Sequence, residues 1–555
     1  VDSAGVLQTA RTNLLLRSEE FDNAYWIKSA STVTLNATAA PDGVTTADKL
    51  VETAVSNQHY VGAISLNLAS NVYTSSIFAK AAERTEISIF MDTSVTRRVQ
   101  FFNLSTGTLG TNSGGITSSI QAFPNGWYKC SITLNAAETL LNVVYTTALS
   151  GSNNYLGNAT SGVFLWGAQL EQASTVGEYL PTTSVVNSAP RFDHNPTTGE
   201  SLGLLVEEPR TNSIRNSTGV GAVAGTPGTL PTNWSAATTQ TGLSREIVGT
   251  GTENGISYID IRIFGTATAT DAYAIVFEQG TEIVASTGQS WTASVYTRIS
   301  GGSTTGVTGT SIRVRERTSS GVVLGSTSAS LTNPANLKDG RSVATRVLSD
   351  ATAARVNSDV IISYSNGSVI DITIRIGLPQ LEQGAFATSV IPTTTTTVNR
   401  AADVASITGS AFSSWYRQDE GTIYVQGSTS ASAANPALFQ ADDGTTNERI
   451  QIRRIGASNL ASLFVVDGGV SQGSVTVSGF NADTIGRICT VYALNNLQLA
   501  FNGALGTADT SATIPTVDRA SIGSANSAGY ANGHISRLTY WPQRLANSTL
   551  QGLTG

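Results

Sequence analysis

The sequence predicts an all-β protein built from three tandem antiparallel β-sandwich domains, the first two an internal repeat. Three observations predict it. Gln169-Leu170-Glu171-Gln172 returns as Gln380-Leu381-Glu382-Gln383, and Pro181-Thr182-Thr183 returns as Pro392-Thr393-Thr394, both 211 positions on. Equal spacing of separate phrases means two copies of one folding unit. Short stretches alternate apolar and polar residues with the strand period of two: Tyr128, Cys130, Ile132 and Leu134 between Lys129, Ser131 and Thr133, or Ile372, Ile374 and Ile376 between Thr373 and Arg375. Turn signals punctuate them, among them Pro41-Asp42-Gly43, Pro124-Asn125-Gly126 and Asp339-Gly340.

Taken in order, residues 1–9 form an N-terminal extension and residues 10–186 form sandwich A, which opens on Arg11-Thr12-Asn13-Leu14. Ile87, Ile89 and Met91 mark one of its strands, and Tyr73 to Lys80 mark another that resembles Trp291 to Arg298. Residues 187–207 are a polar connector with two prolines, in which apolar Leu202–Val206 could add one strand. Sandwich B, 208–398, opens on Arg210-Thr211-Asn212, and its Trp234 is paired with Trp26 of A. The threonine run 393–397 leads to sandwich C, 399–555, which shows no repeat of A or B. In C, Asn502-Gly503 predicts a tight hairpin. Asn547 to Leu553 predicts a final helix, with Asn547 capping the first free amides and Leu550 and Leu553 facing inward.

Composition narrows the function. A chain of 555 residues needs several cores. Only 13% of residues are charged and the net charge is −7. The basic side is nearly all arginine, in runs no longer than two, so the dense positive stripe of a nucleic-acid binder is missing. Cys130 and Cys489 lie far apart on strand-like segments, which excludes a disulfide framework and makes both small buried hydrophobes. No apolar run is long enough to span a membrane, so no membrane insertion is expected. The only methionine is Met91, so residue 1 is not an initiator, and processing or a preceding segment is expected.

Sandwich C, through its Asn-Gly hairpin, the Ile522-Gly523 strand, Gly533-His534-Ile535-Ser536-Arg537-Leu538 and the Asn-led final helix, resembles concanavalin A-like/laminin-G-like jelly rolls. A and B resemble carbohydrate-binding-module sandwiches; in A the matching pieces are Asn13-Leu14-Leu15, Asn125-Gly126-Trp127-Tyr128 and Gly167-Ala168-Gln169-Leu170-Glu171. Pro190-Arg191-Phe192-Asp193-His194 through Gly199 to Glu208, together with Val1 to Gln8, resembles large tailed-phage virion proteins such as tail fibres, tail tips and head fibres. That resemblance implies a virion component, exposed on the particle surface. Its partners would be other virion proteins, further copies of itself (a homo-oligomer, with a trimer favoured) and host cell-surface polysaccharide. It transfers no catalytic residue.

Glu207-Glu208 are adjacent, so in a strand they face opposite ways and cannot form a paired-acid site. Gly469-Val470-Ser471-Gln472-Gly473 matches a nucleophile elbow literally but lies between two strand-like runs, where a hairpin turn is the better reading. His59, His194 and His534 have no metal-ligand spacing. Phe164 and Trp166 fall on the face opposite the inward Val163 and Leu165, and align with Arg375 and Gly377 of B; they are candidates for an aromatic platform that stacks on a sugar. Packing under a loop, against B or against another subunit is the competing assignment. Asp442, Asp443 and Asn532, on turns of C, are candidates for polar contacts to a glycan, against a plain role in stabilising turns. A Ca2+ ion would also suit clustered oxygens there, although nothing else in the sequence calls for a cofactor.

The expected function is therefore that of a non-enzymatic virion protein, a tail fibre or adhesin that binds host glycans through weak sites multiplied by copy number. A capsid head fibre or decoration protein, and the accessory modules of a polysaccharide-degrading enzyme, are the alternatives.

Overall fold

The structure is a computed structural model that describes residues 1–8, 11–136, 138–184, 186–236, 242–431, 435–526 and 528–555, with Asn187 by its backbone only. The expected first residue of sandwich A, residue 10, lies outside the described residues. The chain divides into two compact units, Thr9–Ala189 and Val1–Gln8 with Pro190–Gly555. Described strands pair antiparallel throughout, as the sequence predicts.

The first unit is sandwich A. One six-stranded sheet runs Thr108–Asn112, Arg97–Asn103, Glu86–Thr93, Leu140–Ala148, Tyr60–Ala63, Ile27–Ser29. The other runs Thr117–Phe123, Trp127–Ala136, Asn71–Ala81, Gly162–Glu171, Ala47–Glu52, Ser31–Thr38. The period-two residues meet between them: Ile87, Ile89 and Met91 from one side face Tyr73, Ile77, Cys130, Ile132 and Leu134 from the other. The Pro124-Asn125-Gly126 signal is a turn with Asn125 at φ 60° and Gly126 at φ 79°, joining the two strands it separates.

Sandwich B repeats this plan within the second unit. Its sheets run Leu243–Glu253, Ile256–Thr266, Val369–Gln383, Ser290–Gly302, Arg341–Val347 and Trp234–Ala236, Asp271–Phe277, Arg355–Tyr364, Val307–Arg317, Val323–Ser330, with Ile283–Val284 also pairing on Arg355–Tyr364. The repeated phrases do the same work in each copy. The Gln169 amide oxygen accepts from Leu180 N–H (2.7 Å) as Gln380 does from Ile391 N–H (2.8 Å). The Thr182 hydroxyl donates to Leu15 O, as that of Thr393 does to Ile214 O. Each sandwich is closed by a two-stranded clasp, Thr12–Asn13 on Asn187–Ser188 and Arg210–Asn212 on Val398–Arg400. Trp26 and Trp234 correspond in role: both indole N–H groups donate into the turn after the clasp, to Arg17 O and Arg215 O.

Sandwich C has a seven-stranded sheet that runs Arg191–His194, Ser201–Val206, Gly533–Trp541, Glu420–Gly427, Gly486–Ala493, Gln498–Phe501, Ala504–Leu505. The segment 187–207, expected as a connector with at most one strand, contributes a hairpin of two strands to it, paired through Leu204 to Ile535. Across the core lies a six-stranded sheet, Ser406–Thr408, Arg519–Ile522, Ala437–Asp442, Arg449–Ile455, Leu460–Asp467, Val470–Ser478. Asn502 at φ 44° and Gly503 at φ 82° make the left-handed pair that a primed hairpin turn requires. The final helix spans Asn547–Thr554, and Leu550 is buried on Tyr424, Cys489, Val491 and Ala500, a burial that contributes about 2 kcal/mol. Its capping differs from expectation. Ala546 is the N-cap, and Asn547, already inside the helix, accepts from Arg544 Nη2 (2.6 Å) instead of from the first amides.

Two features tie the second unit together. Leu7 donates its backbone N–H to Asn254 O (2.9 Å) and packs on the cluster of Ile256, Tyr296, Leu337 and Leu378 of B. B and C meet at an ionic joint. Glu207, at the end of the C hairpin, accepts from the N–H (2.7 Å) and hydroxyl (2.6 Å) of Ser389 and pairs with Arg191 (2.8 Å) and Arg400 (3.0 Å). Asp403 closes the ring by pairing with Arg191 and accepting from Glu207 N–H (2.7 Å).

Candidate functional site

The outer face of the six-stranded sheet of C is built by strict alternation. Along Arg449–Ile455, Ile450 and Ile452 point into the core while Arg449, Gln451 and Arg453 point out. Leu460–Asp467 does the same, with Ala461, Leu463 and Val465 inside and Ser462, Phe464 and Val466 outside. Register then sets the outward residues in rows across the strands. One row reads Ser406, Ser521, Gln440, Gln451, Phe464, Ser474, and its neighbour reads Thr408, Arg519, Asp442, Arg449, Val466, Ser471. Adjacent strands lie about 4.8 Å apart, so the first row extends for about 24 Å.

These side chains are chained. Arg453 Nη1 donates to Gln451 Oε1 (3.0 Å), Gln451 Nε2 to Gln440 Oε1 (3.0 Å), and Gln440 Nε2 to Asp442 Oδ2 (2.8 Å). A cation stands at one end and a carboxylate at the other, so every dipole along the ladder is aligned and each bond polarises the next. Gln440, Asp442 and Gln451 are buried; Arg449, Arg453 and Phe464 are half-buried and form the layer a ligand would meet. Both guanidinium groups lie against the Phe464 ring, at 4.0 Å for Arg453 and 5.3 Å for Arg449. Neither arginine is in an ion pair among the described residues, and both Nε–H groups are buried without an acceptor. Burial pulls the Arg453 pKa down to about 10, and the like charge of Arg449 adds to the shift. Burial also lowers the Arg449 pKa, against the pull of Asp442. The face thus presents two planar, multi-donor cations against Phe464, with Arg453 held by the hydrogen-bonded ladder, an arrangement suited to hydroxyl acceptors.

The residues singled out from the sequence are not brought together on this face. Asp442 is part of it, as the buried end of the ladder, with Oδ1 taking Gly444 N–H (2.7 Å). Asp443 lies in the following turn, where its carboxylate accepts from the hydroxyl and N–H of Thr445, which hold its pKa below the usual range. Asn532 serves the joint: its Oδ1 accepts from Glu208 N–H (2.8 Å) and its Nδ2 donates to Glu208 Oε2 (3.0 Å). Among the described residues no group of three His, Cys, Asp or Glu side chains converges to hold a metal. Ser471 lies in the strand Val470–Ser478, so the Gly-x-Ser-x-Gly match sits on a hairpin with no helix after it.

Of the aromatic pair in A, Trp166 corrects the platform expectation. Trp166 does face away from the main core, but it is only 6% exposed. It packs at 4.7 Å from Tyr179 and 5.4 Å from Phe78, and its indole N–H donates to Thr46 (3.1 Å). Buried Ala40 and Ala47, flanking the Pro41-Asp42-Gly43 turn, complete a second small core with Trp127 and half-buried Phe164. The covered Trp166 ring cannot stack on a sugar and packs instead under the loop that carries Thr46, while Phe164 is half-buried against the same cluster.

Apart from Asp442, the residues of the C face, Gln440, Arg449, Gln451, Arg453 and Phe464, are not singled out by the sequence reading. Their signal was the strand Arg449-Ile-Gln-Ile-Arg453, in which the polar half of the alternation is cationic and amide throughout.

No family model and no curated protein matches the chain. Solved structures similar to parts of it include the CBM40 of Ruminococcus gnavus IT-sialidase bound to α2,3-sialyllactose, at 15% identity over 25% of this chain and 84% of that one, with a TM-score of 0.23. The CBM22-1–CBM22-2 tandem domain of Paenibacillus barcinonensis Xyn10C aligns at 12% identity over 69% of this chain and 100% of that one, with a TM-score of 0.26. Domains LG4-5 of the mouse laminin α1 chain align at 12% identity over 47% of this chain and 85% of that one, with a TM-score of 0.18. No residue role is carried over from any of them.

Proposed function

We propose that this chain is a non-enzymatic structural and receptor-binding protein of a phage virion, displayed on the particle surface as a homo-oligomer, that holds host cell-surface glycan on the outer face of sandwich C. The observation that carries the glycan reading is the ladder from Asp442 to Arg453, which uses buried polar groups to fix Arg453 over Phe464, beside Arg449, at a sheet surface. Such a base costs stability unless its geometry serves something, because buried polar groups pack no better than apolar ones. Weak contacts of this kind gain strength from copy number. The ionic joint supports a spacer role, since it ties B and C together through Glu207 and Arg400.

The test is binding of the full chain to purified host surface polysaccharide. Arg453→Met with Arg449→Met is expected to weaken binding at least tenfold while leaving the unfolding transition in place. Unchanged binding in the double variant would reject the face. Release of reducing ends from the polysaccharide by the wild-type chain would reject the non-enzymatic reading. Imaging of particles carrying a label on this chain tests the virion assignment, with tail or shell density expected and absence from the particle counting against it.

A further inference from the structure

We propose that the outer face of the second sheet of sandwich B is an oxyanion site centred on Arg315, taking a sulfate, phosphate or carboxylate group. The strand Val307–Arg317 turns Ile312 and Val314 into the core and sets Arg313, Arg315 and Arg317 outward in succession. Across from them on the neighbouring strand stand Asp359, Asn357 and Arg355. Asp359 takes Arg313 through both oxygens (2.8 and 2.6 Å) and has Arg315 Nη2 at 3.0 Å. Glu282 lies 3.7 Å from Arg317 and 3.4 Å from Arg355. Four guanidinium groups therefore share two carboxylates.

The unmet demand is local. Arg315 Nε and Asn357 Nδ2 are buried donors with no hydrogen-bond acceptor among the described residues, and Arg315 Nη2 meets Asp359 as an ion pair without the geometry of a hydrogen bond. Asn357 is fully buried, and its carbonyl oxygen is already taken by Arg317 Nε (3.0 Å). Donors that lie side by side on facing strands, beside two uncompensated positive charges, match a group that brings several acceptors and a negative charge at once. On the other side, exposed Ser328 and Ser326 stand opposite Arg313 and Arg315 and can add hydroxyl donors. Burial brings the Arg315 pKa down to about 10 against the pull of Asp359, with the like charges of Arg317 and Arg313 adding to the fall. A neutral sugar would satisfy the donors but not the charge.

The site is independent of the C face, and the test keeps them apart. The full chain is titrated calorimetrically with sodium sulfate and sodium phosphate against sodium chloride of equal ionic strength, then with sulfated and neutral dextran. One anion per chain is expected to bind above the chloride background, and sulfated but not neutral dextran is expected to compete for it. Arg315→Met is expected to weaken anion binding at least tenfold, and Arg315→Lys, which keeps the charge without the fork, several-fold. Arg453→Met should leave anion binding at this site unchanged. Absence of binding above chloride, or equal affinity in the Arg315 variants, would overturn the assignment. Competition by neutral dextran would point to a sugar site instead.

Discussion

Asn13 and Asn212 make the same four hydrogen bonds at the clasps of the two repeats. Asn13 donates to Ala168 O (3.0 Å) and Leu180 O (2.9 Å) and accepts from Leu15 N–H and Leu170 N–H (both 3.1 Å). Asn212 donates to Pro379 O (3.2 Å) and Ile391 O (2.9 Å) and accepts from Ile214 N–H (3.0 Å) and Leu381 N–H (3.2 Å). Both are fully buried. Each joins the opening segment of its sandwich to the Gln-Leu-Glu-Gln strand and to the stretch that precedes Pro-Thr-Thr, which is why those phrases recur together.

Replacing either asparagine should be among the costliest single changes in the chain. Asn13→Ala leaves two buried carbonyls and two buried amides without partners, at about 1–3 kcal/mol for each group left unsatisfied, less whatever water recovers. A loss of about 3–5 kcal/mol is expected for either variant in denaturant unfolding. A change below about 1 kcal/mol would show that the web is not what closes the sandwich.

The joint between B and C should loosen in acid. Burial opposes ionisation of Glu207, but Arg400 and Arg191, with the Ser389 hydroxyl and N–H, outweigh it and hold its pKa below the ordinary 4.5. A carboxylate with a depressed folded-state pKa contributes stability above its unfolded pKa and loses it as the pH falls through the folded value. The B–C contact should therefore be intact above pH 4.5 and weaken progressively below it. Glu207→Ala, which strands Arg191 and Arg400, should cost about 3–5 kcal/mol at neutral pH and remove that acid step. Amide exchange at 386–403, followed against pH in both proteins, checks it; an identical acid step in the variant would assign the step elsewhere.

Trp166→Ala should act on stability alone. Emptying a site enclosed by Phe78, Tyr179 and Trp127 costs about 3–5 kcal/mol. Glycan binding measured at a temperature where the variant remains folded is expected to equal that of the wild type. A selective loss of binding would return the aromatic pair to the site.

Much of the fold was legible because it is local. The alternation from Cys130 to Leu134 tells which residues face inward without knowledge of the neighbouring strand, and the facing of Phe164 and Trp166 was readable in the same way. What covers an outward face was not: Thr46, bonded to Trp166, is remote in sequence, and nothing local announces that its loop folds back. The C face was hidden for a related reason. Gln440, Gln451 and Phe464 become neighbours only through the register of three strands, and a slip of one residue in any of them would send the side chain to the core. At the C-terminus, Asn547 had the right chemistry for a cap, but the helix starts at it, and Arg544 takes its side chain.

Gln451 tests whether the ladder works through Arg453. Its side chain accepts from Arg453 and donates to Gln440, so Gln451→Leu removes the support under the cation and leaves the Gln440 oxygen without its donor. The expected cost in stability is about 1–3 kcal/mol. Glycan affinity should fall less than in Arg453→Met, because the guanidinium remains but is no longer held over Phe464. The decisive measurement is the cycle with both changes. If Gln451 acts only by positioning Arg453, the double variant binds no worse than Arg453→Met alone, and the coupling energy equals the whole effect of Gln451→Leu. Additive losses would mean instead that Gln451 touches the ligand itself, which its near-complete burial argues against.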